Sequence, residues 1–321
     1  MKTGTKMNEL DIIKIILKNL SYSNGVEKGI GDDCAVFKSE NQHLVVTTDM
    51  MFKSTHFPSI LTPFQIGMRV VTANVSDIAA MCAKPLGMVI SMGFDSPDKN
   101  FIDEMSKGIN FISKEYECPI AGGDTNKAPE LTLSGTAFGI TDNPIYRGGI
   151  IGEDICITGD VGKVACALKL LEMKDKGILG NIEFEKTMSE FPEILKKLAE
   201  PKARVKDGLL LNNTITSCCD ISDGLSKDLN YTGNFEINSK KLLNSVSKDV
   251  VEFCEKFNMD LLNTVLNSGE EFELLFTTTN FKMAEEKLKD VNSVTKIGKV
   301  VESGKTVDGK SMELEGYVHK W

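Results

Sequence analysis

The sequence predicts a two-domain protein of mixed α/β class. Segments that alternate apolar and polar residues, as strands do, are interleaved with segments of helical period, and this interleaving is typical of sheets covered by helices. The pattern restarts after residues 147–149, so we expect one domain at residues 1–148 and another at residues 149–321. A length of 321 residues agrees with this division, because single domains commonly contain about 100 to 200 residues.

The elements of the first half follow from local signals. Thr62 and Pro63 predict the start of a long helix, since threonine caps helix N-termini and proline suits the first helical turn. This helix is expected to end near residue 81. The other expected elements are a helix near the N-terminus, a helix at 97–116, and strands at 43–48, 86–94, 118–121 and 131–140.

The second half is expected to contain both kinds of element as well. Apolar runs predict strands at 154–158, 217–221, 272–278 and 294–301. Helical period predicts helices that begin near residues 162, 205 and 224, a charged helical stretch that reaches residue 200, and a charged helix between the last two strands. The segment 176–200 carries no residues to which we assign chemistry.

Composition and charge argue against several classes of function. The chain has 37 Lys and Arg against 46 Asp and Glu, a formal net charge of -9, so it lacks the basic surface that a nucleic-acid backbone requires. The N-terminal segment predicts a helix instead of a secretory signal, and no apolar run approaches the roughly 20 residues that cross a membrane. Eight cysteines in apolar stretches, without a CxxC spacing, predict buried reduced thiols in the cytoplasm and argue against zinc.

Aspartates beside glycine or threonine are the main candidates for chemistry. Four such sites occur: Gly31-Asp32-Asp33, Thr47-Thr48-Asp49, Gly122-Gly123-Asp124-Thr125 and Asp220-Ile221-Ser222-Asp223. We expect each of them at a strand end, where open α/β sheets bind their ligands. Mg²⁺ takes carboxylate and phosphate oxygens as ligands, so the four sites together predict Mg²⁺ and a nucleotide triphosphate. For any single site, a simple turn is the alternative, since aspartate and glycine commonly form turns.

A further carboxylate, Asp77, lies on the long helix. A polar stripe follows this helix at spacings of three or four residues: Gln65, Arg69, Thr72 and Ser76. Asp77 is turned about 100° from Ser76, towards the side that we expect to be buried. A buried carboxylate must be paired, hydrogen-bonded or bound to a metal. We favour a metal ion here, with a salt bridge to an arginine as the alternative.

Three other stretches have two interpretations each. Residues 298–306 resemble a P-loop, but five residues separate the glycines where the motif has four, so we interpret the stretch as a turn. Residues 159–163 lead from a strand into a helix, and form either an anion site at the helix N-terminus or a simple connection. His56 could contact a substrate phosphate or cap a loop. Phosphoryl transfer suits a chain with only three histidines, since its catalysis depends mainly on positioning and charge neutralisation.

The motifs, taken in order, resemble one known family. They are Gly29-Ile30-Gly31-Asp32-Asp33, Thr47-Thr48-Asp49, Asn74-Val75-Ser76-Asp77, Gly122-Gly123-Asp124-Thr125, Asp220-Ile221-Ser222-Asp223-Gly224 and Ser268-Gly269-Glu270-Glu271-Phe272. The chain resembles the thiamine-monophosphate kinase family of the aminoimidazole-ribonucleotide synthetase superfamily from about residue 8 to its C-terminus. The resemblance implies direct in-line transfer of phosphate from ATP to thiamine monophosphate (TMP). It also implies a homodimer with an N-terminal mixed sheet that forms a β-barrel at the dimer interface, and a C-terminal α/β sandwich domain.

The same resemblance implies roles for individual residues. The implied ligands of several Mg²⁺ ions are Asp33, Thr47, Thr48, Asp49, Asp77, Asp124, Asp220 and Asp223. The implied ATP contacts are Gly123, Arg147 and Ser222, and the implied TMP contacts are His56, Glu270 and Tyr317. The implied catalytic residues are Asp124, Asp223 and Asp49.

The resemblance is incomplete in one loop, and two alternatives remain on the sequence alone. Ser268-Gly269-Glu270-Glu271 stands where the family usually has Gly-Gly-Glu-Asp. The alternatives to the implied activity are another ATP-dependent kinase or ligase of the superfamily, and a non-catalytic Mg-ATP sensor.

Overall fold

Two β-sheets organise the part of the chain that this computed structural model describes, residues 9–21 and 25–312. The first sheet contains β1 (Val26–Lys28), β2 (Ala35–Lys38), β3 (His43–Phe52), β4 (Lys84–Phe94), β5 (Ile120–Lys127) and β6 (Thr132–Thr141). Its order is β1-β2-β3-β6-β4-β5, and β4 with β5 is its one parallel pair. The sheet is open, so the described residues contain no closed barrel.

The second sheet lies in the other half of the chain. It contains β7 (Asp154–Thr158), β8 (Ser217–Asp220), β9 (Phe235–Ile237), β10 (Leu274–Thr278), β11 (Val294–Val300), β12 (Lys305–Val307) and β13 (Lys310–Ser311). Its order is β13-β12-β9-β11-β7-β10-β8, and β12 runs parallel to β9. The turn predicted near residue 304 connects β11 to the hairpin of β12 and β13.

Helices pack on both sheets. Those of the first half are α1 (Glu9–Leu17), α2 (Lys53–His56), α3 (Pro63–Ala80) and α4 (Lys99–Glu115). Those of the second half are α5 (Lys163–Asp175), α6 (Asn181–Glu190), α7 (Pro192–Ala199), α8 (Val205–Leu211), α9 (Leu225–Asp228), α10 (Ser239–Leu243), α11 (Lys248–Lys256), α12 (Leu261–Leu266) and α13 (Phe281–Leu288). The mixed α/β class is therefore confirmed. Across the described ranges, no helix is both long and apolar enough to cross a membrane.

The long helix α3 begins where the sequence predicts. The Gln65 backbone N–H donates to the Thr62 hydroxyl at 3.3 Å, and the Thr62 backbone N–H donates to the Gln65 side chain at 3.0 Å. These reciprocal bonds form a capping box, and Pro63 occupies the first helical position. The start of α3 is thus encoded within four residues.

Glycines let neighbouring helices approach α3 closely. A Cβ atom at Gly67 would lie 2.1 Å from the carbonyl oxygen of Met105 in α4. A Cβ atom at Gly208 in α8 would lie 2.2 Å from the carbonyl oxygen of Ala79. Because real side chains do not tolerate such distances, both glycines are required for this packing, and α3 is held near each of its ends.

The polar stripe of α3 is buried, which the sequence did not predict. Arg69, Thr72 and Ser76 are inaccessible to solvent. The stripe bonds with residues of the second half, in the pairs Gln65 with Glu200, Arg69 with Leu198, Thr72 with Pro201 and Ser76 with Asp220. From the sequence, only the side of α3 that carries Asp77 was expected to be buried. The polar side is also buried, because the second half of the chain packs on it.

Each sheet has an apolar core. Val70, Ile78 and Met88 belong to the core of the first half, and Ile157 and Leu275 belong to that of the second. All eight cysteines are buried and free, as predicted.

Two of the four aspartate sites do not lie at strand ends. β3 continues past Asp49 to Phe52, paired along its whole length with β6. β5 continues past Asp124 to Lys127, paired with β4. The prediction was wrong at these sites, because pairing with neighbouring strands outweighs the local turn preference of glycine and aspartate. Asp33, before β2, and Asp220, at the end of β8, do lie at strand ends.

Candidate active site

Three carboxylates converge between the two sheets. Asp33, Asp77 and Asp220 each place one oxygen atom within 4.8 Å of the others. Asp33 precedes β2, Asp77 is on α3 and Asp220 ends β8, so both halves of the chain contribute to this carboxylate cluster. Closely spaced carboxylates cannot all ionise unless positive charge is supplied. The arrangement is therefore suited to a cation.

Hydroxyl groups orient two members of the carboxylate cluster. The Thr47 hydroxyl donates to Asp77 Oδ2 at 2.5 Å, and the Ser76 hydroxyl donates to Asp220 Oδ2 at 2.6 Å. In the described residues, buried Asp220 Oδ1 and Asp33 Oδ2 have no hydrogen-bond partner. Buried polar atoms are normally satisfied, and carboxylate oxygens are ligands that Mg²⁺ prefers. These residues therefore fit a hard divalent cation.

The electrostatics of the carboxylate cluster favour the same ligand. Burial, and then repulsion by Asp49, Asp220 and Asp33, raises the pKa of Asp77 well above its ordinary value. Burial raises the pKa of Asp33 to about 8 despite the nearby Arg147. A group of carboxylates of this kind holds protons near neutral pH, and a divalent cation that binds them displaces those protons. Asp77 forms no ion pair with the residues that the structure describes, so the arginine alternative is not observed.

Thr47 and Thr48 lie on opposite faces of β3. Thr47 is buried and bonds to Asp77, whereas the Thr48 hydroxyl donates to the carbonyl oxygen of Gly135 at 2.7 Å. Adjacent strand residues point in opposite directions, which explains the difference. Only the Thr47 side chain joins the carboxylate cluster.

Asp49 and Asp223 line the same cleft. The Asp49 backbone N–H donates to the Asn74 side chain at 3.1 Å, which fixes β3 against α3. Burial, and then the charges of Asp220 and Asp223, raises the pKa of Asp49 to about 6. Asp223 forms an ion pair of 2.6 Å with Lys227. Five carboxylates thus influence one another in the cleft.

Arg147 places positive charge at the edge of the carboxylate cluster. Its Nε and Nη2 atoms donate to Asp33 Oδ1 at 3.1 Å and 2.5 Å. Its guanidinium carbon lies 3.7 Å from the centre of the Tyr231 ring, and its backbone N–H donates to Asp32. A planar guanidinium held in this way can also receive the oxygens of a phosphate group.

Asp124 and its neighbour Gly123 lie away from the carboxylate cluster within the chain. In the first sheet, one row of paired residues runs Met50, Ser134, Ser91 and Asp124. Asp124 is thus three strand spacings from β3, or about 14 Å. Its carboxylate accepts a hydrogen bond of 2.6 Å from Asn126 on the exposed edge strand β5. The described chain does not bring Asp124 to the other aspartates.

The loop 268–273 packs directly on the turn that carries Asp220 and Asp223. The Glu270 backbone N–H donates to the carbonyl oxygen of Ser222 at 2.7 Å. A Cβ atom at Gly269 would lie 2.7 Å from that same oxygen, so glycine is required there. The Glu270 carboxylate forms an ion pair with Arg69 and is 29% exposed. The structure therefore brings Glu270 beside Ser222, in the turn between Asp220 and Asp223.

The N-terminus of α5 is closed by a buried carboxylate of the protein itself. Glu271 Oε1 accepts from the backbone N–H groups of Gly162 at 2.7 Å and Val164 at 3.1 Å. The Ser268 hydroxyl donates to Glu271 at 2.5 Å and accepts from the Ala165 N–H at 2.9 Å. An external anion site at 159–163 is therefore wrong, because this position is filled. The serine and glutamate that depart from the family pattern both serve as caps of α5.

Two further predicted residues have different outcomes. His56 Nδ1 accepts a hydrogen bond of 3.1 Å from the Phe52 backbone N–H, so the capping interpretation is observed. Tyr317 lies outside the described residues. Sequence reasoning missed Asp228, a buried residue whose carboxylate accepts from the Ser222 N–H at 3.1 Å. An acidic residue among the apolar residues after Gly224 was the signal for it.

The fold and the cleft define a class of protein. Residues 31–141, which include three of the five cleft aspartates, match the family model for the AIR synthase related protein, N-terminal domain. A thiamine-monophosphate kinase from Methanocaldococcus jannaschii is 51% identical, over 98% of this chain and 100% of that relative. One from Pyrococcus horikoshii is 36% identical, over 85% of this chain and 83% of the relative. The chain belongs to the thiamine-monophosphate kinase family.

A solved structure supports this relationship. The structure of AaThiL complexed with AMPPCP and TMP matches with a TM-score of 0.85 and 27% sequence identity. The match covers 99% of this chain and 100% of that chain. The similarity therefore extends over both sheets and the cleft between them.

Proposed function

We propose that this chain is a kinase that transfers the terminal phosphate of ATP to TMP and forms ADP and thiamine diphosphate. The observation that carries the proposal is the packing of the loop 268–273 on the turn that follows Asp220 of the carboxylate cluster, in a member of the thiamine-monophosphate kinase family. The contact supports the proposal because the proposed site for a metal-bound nucleotide would then lie next to the proposed site for a cationic acceptor. The structure of AaThiL with AMPPCP and TMP supports the same pair of ligands.

The carboxylates of the cleft would hold several Mg²⁺ ions, with the Thr47 hydroxyl beside them. The proposed ligands are those named by the sequence: Asp33, Thr47, Thr48, Asp49, Asp77, Asp124, Asp220 and Asp223. Bound Mg²⁺ neutralises the charge of the phosphates and orients them. Asp49, Asp124 and Asp223 are the proposed catalytic carboxylates.

The residues of the cleft position the two substrates. Arg147, anchored on Asp33, would contact ATP together with Ser222 and Gly123. The acceptor needs no general base, because a phosphate monoester with a second pKa of about 6 is already largely ionised at pH 7. In-line transfer then depends on alignment and charge neutralisation.

The acceptor would bind at the loop 268–273. The Glu270 carboxylate is 29% exposed and would attract the cationic thiazolium ring of TMP. His56 and Tyr317 are the other proposed acceptor contacts, and the aromatic ring of Tyr317 suits a cation.

We propose a homodimer in which the face of the first sheet opposite α3 forms the interface, as a shared barrel. A Cβ atom at Gly139 would lie 2.6 Å from Ile78 of α3, so the residues on either side of Gly139 point away from the helix. Met50, which is 55% exposed, points to the same outer face, and Leu86 is 46% exposed at its edge. Exposed apolar area on a sheet face favours an interaction surface. Asp124 and Gly123, on edge strand β5, would then lie near the partner.

The organisation and the location of the protein are also proposals. Residues 1–148 and 149–321 would be two domains, since each contains one sheet and most of one apolar core. The cytoplasm is the proposed location, supported by eight buried free cysteines.

A coupled assay of ADP release tests the proposed reaction. With Mg-ATP and TMP we expect multiple turnovers, and thiamine diphosphate as the product. No turnover with TMP at saturating Mg-ATP would contradict the proposal. A higher kcat/KM with another phosphorylated acceptor would indicate a different kinase or ligase of the superfamily, and ATP binding without turnover of any acceptor would indicate a sensor.

A further inference from the structure

We propose that Arg69 is a positioning residue that sets the orientation of Glu270, and that α7 holds Arg69 in this role. The inference deepens the proposed function and rests on it, since Glu270 is the proposed contact for the cationic ring of TMP. It assigns a function to the buried Arg69 side chain of α3. It also assigns one to the end of the segment 176–200, to which the sequence alone assigned no chemistry.

The Arg69 guanidinium is held at two points. This side chain is 0% exposed, and its Nη1 atom donates to the carbonyl oxygen of Leu198, in α7, at 2.7 Å. Its Nη2 atom donates to Glu270 Oε2. A guanidinium is planar and rigid, so the bond to Leu198 fixes the direction of the bond to Glu270. A lysine could not transmit direction in this way.

The loop that carries Glu270 has an unfavourable backbone conformation at that residue. Glu270 has a φ of 55°, in the left-handed region that residues other than glycine rarely adopt. Its backbone N–H is held by the Ser222 carbonyl oxygen and its carboxylate by Arg69. Such a conformation is unfavourable and persists only where surrounding contacts determine it. Arg69 is one of those contacts.

Helix α7 is attached to the same loop by ion pairs. Lys197 forms an ion pair of 2.6 Å with Glu273, and Arg204 Nε donates to Glu273 at 2.7 Å. Lys197 is also 3.9 Å from Glu271. The three glutamates of the loop are therefore bound by different elements: Glu270 by α3, Glu271 by the N-terminus of α5, and Glu273 by α7 and the segment after it. The end of the charged segment 176–200 thus supports the proposed acceptor site.

This arrangement has a specific kinetic consequence. Arg69 contacts Glu270 and α7 but none of the five cleft aspartates, so its loss should affect the acceptor and leave nucleotide binding intact. A purely structural role would affect both substrates alike. Comparing the change in the KM for TMP with the change in the KM for Mg-ATP therefore distinguishes a positioning role from a purely structural role.

The test uses steady-state kinetics of the full chain. Arg69→Met keeps the apolar stem of the side chain and removes both bonds. We expect the KM for TMP to rise at least tenfold, the KM for Mg-ATP to change less than twofold, and Arg69→Lys to lie between wild type and Arg69→Met. Thr72→Val is the matched control, since Thr72 is on the same stripe and bonds to Pro201 instead of Glu270. Its KM for TMP should stay within twofold of wild type.

A double-mutant cycle checks that Arg69 acts through Glu270. Glu270→Gln should raise the KM for TMP by itself, and adding Arg69→Met should raise it no further. An unchanged KM for TMP in folded Arg69→Met, or an equal rise in both KM values, would overturn the inference alone. If Arg69→Met does not fold, Arg69→Lys is judged by the same two constants. Wild-type chain that fails to turn over TMP overturns the proposed function, and this inference with it.

Discussion

Ser76 of α3 donates a 2.6 Å hydrogen bond to Asp220 at the end of β8, and so joins the two halves of the chain inside the carboxylate cluster. Both residues are buried. The bond occupies Asp220 Oδ2 and leaves Oδ1 without a protein partner among the described residues. Ser76 therefore determines which oxygen of Asp220 is left to bind the proposed metal ion.

Ser76→Ala should weaken metal binding without changing the charge of the site. Groups that orient metal ligands commonly contribute about 10- to 100-fold to metal affinity or activity. We expect the Mg²⁺ concentration for half-maximal rate to rise by about 10-fold or more. Ser113→Ala, at a buried serine of α4, is the control and should leave this concentration unchanged. Equal Mg²⁺ dependence in both variants would argue against a metal site at Asp220.

Asp77→Asn should increase the stability of the metal-free protein and abolish its activity. The change removes one of several mutually repelling carboxylates, so the melting temperature in EDTA should rise by about 2 °C or more. Turnover should fall by about 100-fold or more, because a metal ligand is lost. Differential scanning fluorimetry and the ADP assay measure the two effects.

The control for this change is Asp95→Asn, at an exposed aspartate outside the cleft. It should alter neither the melting temperature nor the turnover. A loss of stability in Asp77→Asn would show that the Thr47 bond matters more than the repulsion.

The stability of the metal-free protein should depend on pH in a defined direction. Asp33 and Asp49 have their pKa values raised in the folded state, from 3.8 to about 8 and to about 6. Protonation therefore favours the folded state, and this stabilisation is lost as pH rises through these values. Between about pH 5 and about pH 8 the melting temperature in EDTA should fall.

Mg²⁺ should oppose this fall in melting temperature. At the higher pH the ion meets ionised carboxylates, whereas at the lower pH it must displace protons. The rise in melting temperature on adding Mg²⁺ should thus be larger at about pH 8 than at about pH 5. A Mg²⁺ effect independent of pH would contradict the assignment of these carboxylates as ligands.

Lys197→Met should destabilise the fold, most strongly above about pH 4.5, where Glu273 is ionised. Burial alone would raise the pKa of Glu273, but Lys197 and Arg204 lower it from 4.5 to about 2. Its ionised form therefore stabilises the fold above pH 4.5, and this contribution is lost as pH falls towards about 2. Removing Lys197 should lower the free energy of unfolding by about 3 kcal/mol and move acid unfolding to higher pH.

Urea unfolding at neutral pH and an acid titration followed by circular dichroism check this prediction. Lys196→Met, at the exposed neighbouring position, is the matched control and should change the unfolding free energy by less than about 0.5 kcal/mol. Similar acid midpoints for the two variants would show that Arg204 alone holds Glu273.

Met50→Glu should disrupt the proposed homodimer. A charge on the outer face of the first sheet would be buried without a partner in a shared barrel, and such burial is strongly unfavourable. We expect a monomer by light scattering where the wild type is a dimer. Ile182→Glu, at a residue of α6 that is 86% exposed, is the control and should leave the mass unchanged. A monomeric wild type would contradict the homodimer proposal directly.

Local signals predicted some parts of this fold accurately. Thr62 and Pro63 placed the start of α3, and the strand at residues 154–158 has the bounds that were expected. The mixed α/β class follows from these and similar segments. Each of these features depends on residues close together in the chain, which is why the sequence alone sufficed.

Features that depend on distant partners were not predicted. The strand expected at 118–121 continues to Lys127 because β5 pairs with β4, although its glycines and Asp124 favour a turn. The polar stripe of α3 is buried because the second half packs on it. The motifs named Asp33, Asp77 and Asp220 as ligands, but their convergence depends on tertiary packing that sequence spacing does not contain.

The close packing of α3 also fixes the distance between two parts of the site. Arg69, which holds Glu270, and Asp77, in the carboxylate cluster, are eight positions apart on this helix, about 12 Å along its axis. The backbone contacts at Gly67 and Gly208 prevent the helix from sliding. If Glu270 and the carboxylate cluster bind the two ends of the acceptor, as proposed, α3 sets the distance between these ends, and a molecule whose cationic ring and phosphate span a different distance would bind at one end only.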